Sequence, residues 1–210
     1  MIEIIDLGIS NIGSLAMAVG DVTKSDLRIV REASDSASPL LFILPGNGHF
    51  HAGSTRLNES GFRDLLIDSV GRGSAKVAGI CLGMQLLGQK SEEAPEDDGL
   101  GLAAFVSTKL PDHENQRQKP PKIGWSALER RNSSFQDIED LGYVFFAHSY
   151  AIRESDFELA DYEVLTSSFG SERYIAAIRS ESVLGYQFHP EKSSKFGGKL
   201  LRSCLSWADI

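Results

Sequence analysis

Lys76-Val77-Ala78-Gly79-Ile80-Cys81-Leu82-Gly83-Met84-Gln85-Leu86-Leu87 is the stretch of this chain that decides its fold. Residues 76–80 form the short apolar run of a strand that is buried on both faces, and residues 84–87 have the composition of a helix. A sharp turn must join them, and it needs its glycines because the two backbones come close together. This order of strand, turn and helix has the spacing of a nucleophile elbow, with Cys81 at the nucleophile position.

The residues before this stretch repeat the alternation of strand and helix. Apolar residues recur at the spacing of buried strands and of amphipathic helices, and Gly or Pro ends each run. We predict strands at residues 2–8, 27–30 and 40–44, a helix that buries Leu15, Ala18 and Val19, and a helix that buries Phe62, Leu65, Leu66, Ser69 and Val70. The βαβαβ order predicts an α/β fold with a doubly wound, mostly parallel central sheet flanked by helices.

The second half of the chain is richer in strands. Aromatic and β-branched residues predict strands at residues 103–110, 143–152, 162–168, 173–178 and 183–188. A closing helix places Leu200, Leu201, Cys204, Leu205 and Ala208 on one face. The acidic segment 92–98 and the polar segment 112–121 are expected to be exposed loops. Because no break in composition marks a linker, we expect residues 1–210 to form a single domain.

Composition excludes several classes of protein. Of the 210 residues 41% are hydrophobic and 24% charged, which is typical of a globular chain. The net charge of -8 opposes binding to nucleic acid or to an anionic membrane. No apolar run approaches the roughly 20 residues that span a bilayer, and the N-terminus lacks the features of a signal peptide. We therefore expect a cytoplasmic protein.

The two cysteines need separate explanations, since two are too few for a disulfide framework or a thiolate zinc site. A lone cysteine is usually a small buried hydrophobe, and that interpretation stands for Cys204. The paired glycines and the strand-to-helix context make Cys81 the candidate nucleophile, because a helix N-terminus favours its thiolate.

A nucleophilic thiol needs a base, and His189-Pro190-Glu191 supplies the best candidate. In an extended segment the side chains of His189 and Glu191 share a face, so the carboxylate can hold the imidazole in one tautomer. Alone, such a tripeptide is more often a surface turn. Together with Cys81 it completes a Cys, His, Glu arrangement in which each group has a role.

The elbow Gly79-Ile80-Cys81-Leu82-Gly83-Met84-Gln85 and the terminal His189-Pro190-Glu191-Lys192-Ser193 resemble the class I (triad) glutamine amidotransferases. Shorter motifs extend the resemblance over nearly the whole chain: residues 5–8 with Asn11, residues 44–48, residues 123–125, residues 146–150 and the last helix.

The resemblance implies that Cys81 attacks the side-chain amide of glutamine and forms a thioester, that His189 moves protons, and that Glu191 orients His189. It implies that the glutamine is held by Gly48, Leu82, Gln85, Glu93, His148, Ser149 and Tyr150. The backbone N–H groups of Leu82 and, after a local rearrangement, of Asn47 would stabilise the oxyanion. Lys192 would lie on a partner face. Neither a cofactor nor a metal is implied.

The partner implied by the resemblance is a separate (β/α)₈ barrel subunit, in a heterodimer that uses the ammonia to make imidazole glycerol phosphate and aminoimidazole carboxamide ribotide in histidine biosynthesis. The chain departs from the family pattern at Asn47, at His49, at Lys122 and at Ser126. These departures leave other acceptors open, such as a surface-polysaccharide sugar. A non-catalytic subunit and a cysteine hydrolase acting on peptides are the remaining alternatives. A metal site at His49 and His51 is disfavoured because no further ligand cluster lies near them in the sequence.

Overall fold

The computed structural model describes residues 1–112, 119–131 and 134–210. Its thirteen strands are β1 (Ile2–Ile5), β2 (Leu27–Val30), β3 (Leu41–Gly46), β4 (Lys76–Cys81), β5 (Lys90–Ser91), β6 (Val106–Lys109), β7 (Lys122–Ala127), β8 (Glu129–Arg131), β9 (Tyr143–His148), β10 (Tyr150–Ala151), β11 (Glu163–Phe169), β12 (Glu172–Arg179) and β13 (Val183–Tyr186). The helices in these parts of the chain are α1 (Ile12–Gly20), α2 (Phe50–Glu59), α3 (Phe62–Gly71), α4 (Leu82–Leu87) and α5 (Ser194–Trp207).

The central sheet has eight strands in the order β2-β1-β3-β4-β13-β12-β11-β8. The first five strands of this order are parallel to one another, and the last three join by antiparallel pairs. The predicted α/β fold with a doubly wound, mostly parallel sheet is confirmed, and its antiparallel edge comes from the strand-rich second half of the chain. The pair β4 and β13 lies at the middle of the sheet, so two segments far apart in sequence end side by side.

Helices cover both faces of this sheet. One apolar cluster packs α1 and α5 against one face, and a second packs α2, α3 and α4 against the other. Side chains alternate between the clusters along β3, so that Ile43 faces the first while Phe42 and Leu44 face the second. Burial on both faces is the reason for the unbroken apolar runs in these strands.

Some elements differ from the sequence-based expectations. Helix α2 was not predicted, because its sequence is mostly polar and buries only Phe50, Gly53, Ser54 and Leu57. The predicted strand at 143–152 is interrupted at Ser149, and its first part pairs with the unpredicted β7 in a separate two-stranded sheet. In the polar segment 112–121, residues 113–118 lie outside the described residues. In the described parts of the chain, none of the helices is long and apolar enough to cross a bilayer.

Candidate active site

The turn around Cys81 is built by close backbone packing. Cys81 ends β4, and α4 begins at the next residue, so the chain turns sharply within one peptide and Cys81 takes a positive φ of 55° with ψ -111°. A Cβ on Gly83 would lie 1.7 Å from the carbonyl oxygen of Leu44, and one on Gly79 would lie 2.6 Å from the backbone of Gly83. Both glycines are therefore required by contact with neighbouring backbone, and positive φ at a non-glycine residue marks Cys81 as strained.

His189 reaches Cys81 because β13 lies beside β4 in the sheet. The His189 Nδ1 donates to Glu191 Oε1 at 2.9 Å, and the imidazole interacts with the Cys81 side chain. All three side chains are buried or nearly so. The expected extended path from His189 to Glu191 was wrong: residues 190–192 form a 3₁₀ turn, which Pro190 opens, and this turn brings the carboxylate back to the ring.

Electrostatics favour a protonated imidazole at this position. Burial lowers the pKa of His189, but hydrogen bonds to Cys81 and Glu191 and the charges of these groups outweigh burial and raise the pKa to about 9 from 6.5. Protonated His189 can pair with a Cys81 thiolate on one side and with the Glu191 carboxylate on the other. The arrangement can therefore generate a nucleophile and afterwards give a proton to a leaving group.

A cavity of about 270 Å³ opens directly over the Cys81 side chain. It is lined by Asn47, Gly48, Cys81, Leu82, Gln85, Glu93, Pro121, Ile123, Ala147, His148, Ser149 and Tyr150. These include all seven residues that the sequence predicted to hold glutamine. The sequence analysis did not assign Pro121, Ile123 and Ala147 to the site, although Ile123 and Ala147 lie in motifs of the family resemblance. Pro121 precedes β7, Ile123 lies in β7, and Ala147 lies in β9.

Two polar side chains of the cavity wall are held by hydrogen bonds. Gln85 Nε2 donates to the Tyr150 carbonyl at 2.8 Å. Glu93 accepts from the backbone N–H of Phe50 at 2.7 Å, which anchors the acidic segment against the first turn of α2. The Glu93 charge also faces Tyr150, whose pKa is raised by burial and by nearby Glu93 and Glu92. Glu93 thus places a negative charge at the wall of the cavity.

His148 lines the same cavity but turns its ring nitrogens inward. Its Nδ1 donates to the Tyr150 carbonyl at 2.9 Å, while its buried Nε2 has no hydrogen-bond partner among the described residues. Burial, together with the charge of Lys122, lowers the pKa of His148 to about 3. The side chain is therefore neutral and serves to fix the backbone around Tyr150.

Lys122 lies behind His148, directly across the β7–β9 pair. It is only 8% exposed. Its Nζ donates to Ser167 Oγ and to the Ser168 carbonyl, both at 3.0 Å, and lies 4.0 Å from the centre of the Phe146 ring. Burial lowers the pKa of Lys122 to about 8. Its burial could not be foreseen from the sequence, where it stands in a polar segment.

The loop before α2 holds the second expected oxyanion donor away from the cavity. The backbone N–H of Asn47 donates to the Ile9 carbonyl at 3.3 Å. Leu82 is the first residue of α4, where a backbone N–H has no partner within the helix. In this conformation Leu82 can donate to an oxyanion, whereas Asn47 must first break its bond to Ile9.

Three other residues singled out in the sequence lie outside the cavity. His49 Nδ1 accepts from the backbone N–H of His51, and His51 Nδ1 is 2.8 Å from Asp97. The described residues contain no group of three or more His, Cys, Asp or Glu side chains that could hold a metal ion. Lys192 is exposed in the turn that carries Glu191.

Comparison with known proteins agrees with this fold. Residues 3–206 match the family Glutamine amidotransferase class-I, and the chain belongs to that family.

Among its relatives is Imidazole glycerol phosphate synthase subunit HisH of Geobacillus sp. (strain WCH70), which is 36% identical over 98% of this chain and 96% of the relative. The protein of the same name from Thermotoga maritima is also 36% identical, over 97% of this chain and 96% of the relative. A solved glutamine amidotransferase, 20% identical, superimposes with a TM-score of 0.78 over 100% of this chain and 99% of that structure, which shows a shared fold.

Proposed function

We propose that this chain is the glutaminase subunit of an imidazole glycerol phosphate synthase. It hydrolyses glutamine to glutamate and ammonia and delivers the ammonia to a separate (β/α)₈ cyclase. The observation that carries the proposal is the arrangement of Cys81 in the cavity wall, His189 beside it and Glu191 hydrogen-bonded to His189, in a chain that aligns with HisH subunits over nearly its full length. The chain acts as a single domain, which is supported by the packing of both apolar clusters of the described residues on one sheet.

The reaction follows from the geometry of these three residues. The Cys81 sulfur attacks the amide carbon of the glutamine side chain, a C–S bond forms, and the carbonyl electron pair moves to oxygen. When the intermediate collapses, the C–N bond breaks and the nitrogen leaves as ammonia with a proton from His189. Water then attacks the thioester and gives a proton to His189, the C–S bond breaks, and glutamate is released. Glu191 keeps the imidazole in the required orientation.

The cavity supplies groups of the right chemistry for glutamine. The Glu93 carboxylate suits the α-ammonium group, and the backbone and hydroxyl donors around Ser149 and Tyr150 suit the α-carboxylate. Gly48, Leu82, Gln85 and His148 complete the wall. The need to pair the α-ammonium group with a carboxylate explains why an otherwise solvated acidic segment contributes one residue to the site.

The resting conformation is weakly active because one oxyanion donor is engaged elsewhere. The bond from the Asn47 N–H to the Ile9 carbonyl supports this proposal. Partner binding releases that bond and turns the N–H toward the oxyanion, which is worth about 10²- to 10³-fold in turnover. Gly46→Ala is a poor test of this step, because its Cβ would lie 2.7 Å from Leu82 Cβ and displace the other donor. Gly48→Ala meets only ordinary contacts at Ile9 in the resting state, so it restricts the peptide without a steric clash there.

Exposed apolar side chains beside the cavity support docking of the partner on the β7–β9 sheet. Ile123, Trp125 and Tyr143 are 68%, 52% and 64% exposed, and Ile123 also lines the cavity. His189 pairs with Phe145 of β9, so the turn that carries Lys192 borders the same sheet. A partner on this surface would cover the mouth of the cavity and keep ammonia from water.

The deciding experiment measures glutamate release by the purified chain alone, with a cyclase subunit from the same organism, and with that cyclase and its nucleotide ligand. We expect weak activity alone and at least about 10²-fold stimulation in the full mixture. Full activity without a partner would exclude the gated donor, and no activity in any mixture would favour a non-catalytic subunit. If only a sugar-amidating synthase stimulates glutamate release, the ammonia acceptor is a surface-polysaccharide sugar.

Docking is tested on the same proteins. Trp125→Ala and Lys192→Ala should weaken complex formation, while Met17→Ala, which removes an equally exposed side chain from α1, should leave it unchanged. The free thiols Cys81 and Cys204 fit a reducing compartment, and we propose that the complex works in the cytoplasm.

A further inference from the structure

The buried polar side chain of Gln187, which is not part of the Cys81, His189 and Glu191 set, contacts the catalytic sulfur. Gln187 lies between β13 and His189 and is 1% exposed. Its backbone N–H donates to the Ala176 carbonyl at 2.9 Å, which fixes the main chain. Its side-chain Nε2 is 3.9 Å from Cys81 Sγ, within the range of a hydrogen bond to sulfur. The triad chemistry described above does not use this residue.

The other end of the Gln187 amide holds Gln85. The Gln187 Oε1 accepts from Gln85 Nε2 at 3.2 Å, and the same Gln85 nitrogen donates to the Tyr150 carbonyl. Both N–H bonds of the Gln85 amide are therefore engaged by protein, and its oxygen is the atom left for a ligand in the cavity. A continuous set of hydrogen bonds thus links the sulfur to the cavity wall.

We infer that Gln187 is a positioning residue of the glutaminase reaction: it donates to the Cys81 sulfur, and it fixes the Gln85 amide with its oxygen toward the substrate. This inference rests on the proposed function and adds a residue to it.

Whether a hydrogen-bond partner of the Cys81 sulfur favours the thiol or the thiolate depends on whether that partner accepts or donates. The Cys81 thiol also lies 3.9 Å from the Ala147 carbonyl, which can accept its S–H but cannot stabilise a thiolate. The amide N–H of Gln187 remains a donor when the sulfur loses its proton, and hydrogen bonds to charged acceptors are stronger than neutral ones. Gln187 therefore favours the thiolate form of Cys81, as protonated His189 does.

The test compares Gln187→Met, which keeps the volume and removes both ends of the amide, with the wild type and with Gln89→Met. Gln89 is an exposed glutamine just beyond α4 and is the matched control. Alkylation by iodoacetamide is followed across pH by mass spectrometry of the Cys81 peptide. We expect the Gln187→Met curve to move to higher pH by about one unit or more. The control should match the wild type.

Steady-state kinetics in the presence of the cyclase test the second role. We expect Gln187→Met to lower kcat/KM by about 10- to 100-fold, with a raised KM. When Gln187→Met is added to Gln85→Met, the further change in KM should be small, because the Gln85 amide that Gln187 positions is already absent. A purely structural residue would lower the thermal midpoint and the activity without moving the alkylation curve.

A folded Gln187→Met protein with an unchanged alkylation curve and an unchanged KM would overturn the inference. If that variant does not fold, Gln187→Leu removes the same N–H donor without adding a charge beside the sulfur. Slower alkylation at neutral pH then supports the inference, and wild-type alkylation refutes it. Alkylation needs neither glutamine nor partner, so failure of the proposed function, seen as no glutamate release by the wild type, is distinguishable from failure of the role of Gln187.

Discussion

Replacing Lys122 by methionine is expected to stabilise the protein at neutral pH. The ammonium of Lys122 is buried, and its contacts are a hydroxyl, a carbonyl and an aromatic ring. No carboxylate in the described parts of the chain lies within salt-bridge distance of it. Burial lowers the pKa to about 8 from 10.5. The folded state therefore holds this proton less tightly than the unfolded chain does.

The sign and size of the effect follow from proton linkage. Below pH 8, Lys122 is charged in both the folded and the unfolded protein, and the cost of burying the charge is fully present. Between pH 8 and 10.5, Lys122 is protonated only in the unfolded chain. The unfolding free energy of the wild type therefore rises with pH in this range. The cost is about 3 kcal/mol at pH 7 and falls below about 1 kcal/mol at pH 10. Leaving Ser167 and Ser168 without their donor offsets about 1–2 kcal/mol of the gain.

The measurement is urea unfolding of the wild type and of Lys122→Met at pH 7 and pH 10. Relative to the wild type, the unfolding free energy of the variant should fall by about 2–3 kcal/mol from pH 7 to pH 10. Lys199→Met, at an exposed position of α5, controls for the loss of a surface charge. A difference that is the same at both pH values would refute the reasoning, since it would mean that Lys122 does not titrate in this range.

Three further predictions concern the thiols and the base. Cys81→Ala should abolish glutamine-dependent synthesis but leave the circular dichroism spectrum and synthesis from added ammonium intact; residual glutamine hydrolysis would show that another group is the nucleophile. Glu191→Gln should lower kcat less than His189→Ala, because Glu191 orients the base and does not accept the proton; equal losses would give Glu191 a direct role. Cys204→Ser should leave turnover unchanged and lower the unfolding free energy by about 1–3 kcal/mol, because a hydroxyl would be buried on the apolar face of α5; loss of turnover in the folded variant would mean that the wrong thiol was assigned.

The sequence by itself determined the parts of the molecule that depend on neighbours along the chain. The apolar runs of β1, β3 and β4 predicted a sheet buried on both faces, because burial shows directly in composition and period. The elbow could be predicted since the glycines at 79 and 83 are needed within one turn. The pairing of His189 with Glu191 could also be expected from two residues of separation, although the turn that achieves it is 3₁₀ and not extended.

Only the tertiary structure decided which distant groups meet. Gln187 contacts a sulfur 106 positions away because β13 lies next to β4, and nothing in either segment encodes that neighbour. Asn47 is held by Ile9, and Lys122 is buried by β11, for the same kind of reason. A local apolar pattern predicts which strands are buried on both faces, but the order of strands in the sheet arises from the packing of the whole chain. The hydrogen bonds across that order could therefore be read only from the folded protein.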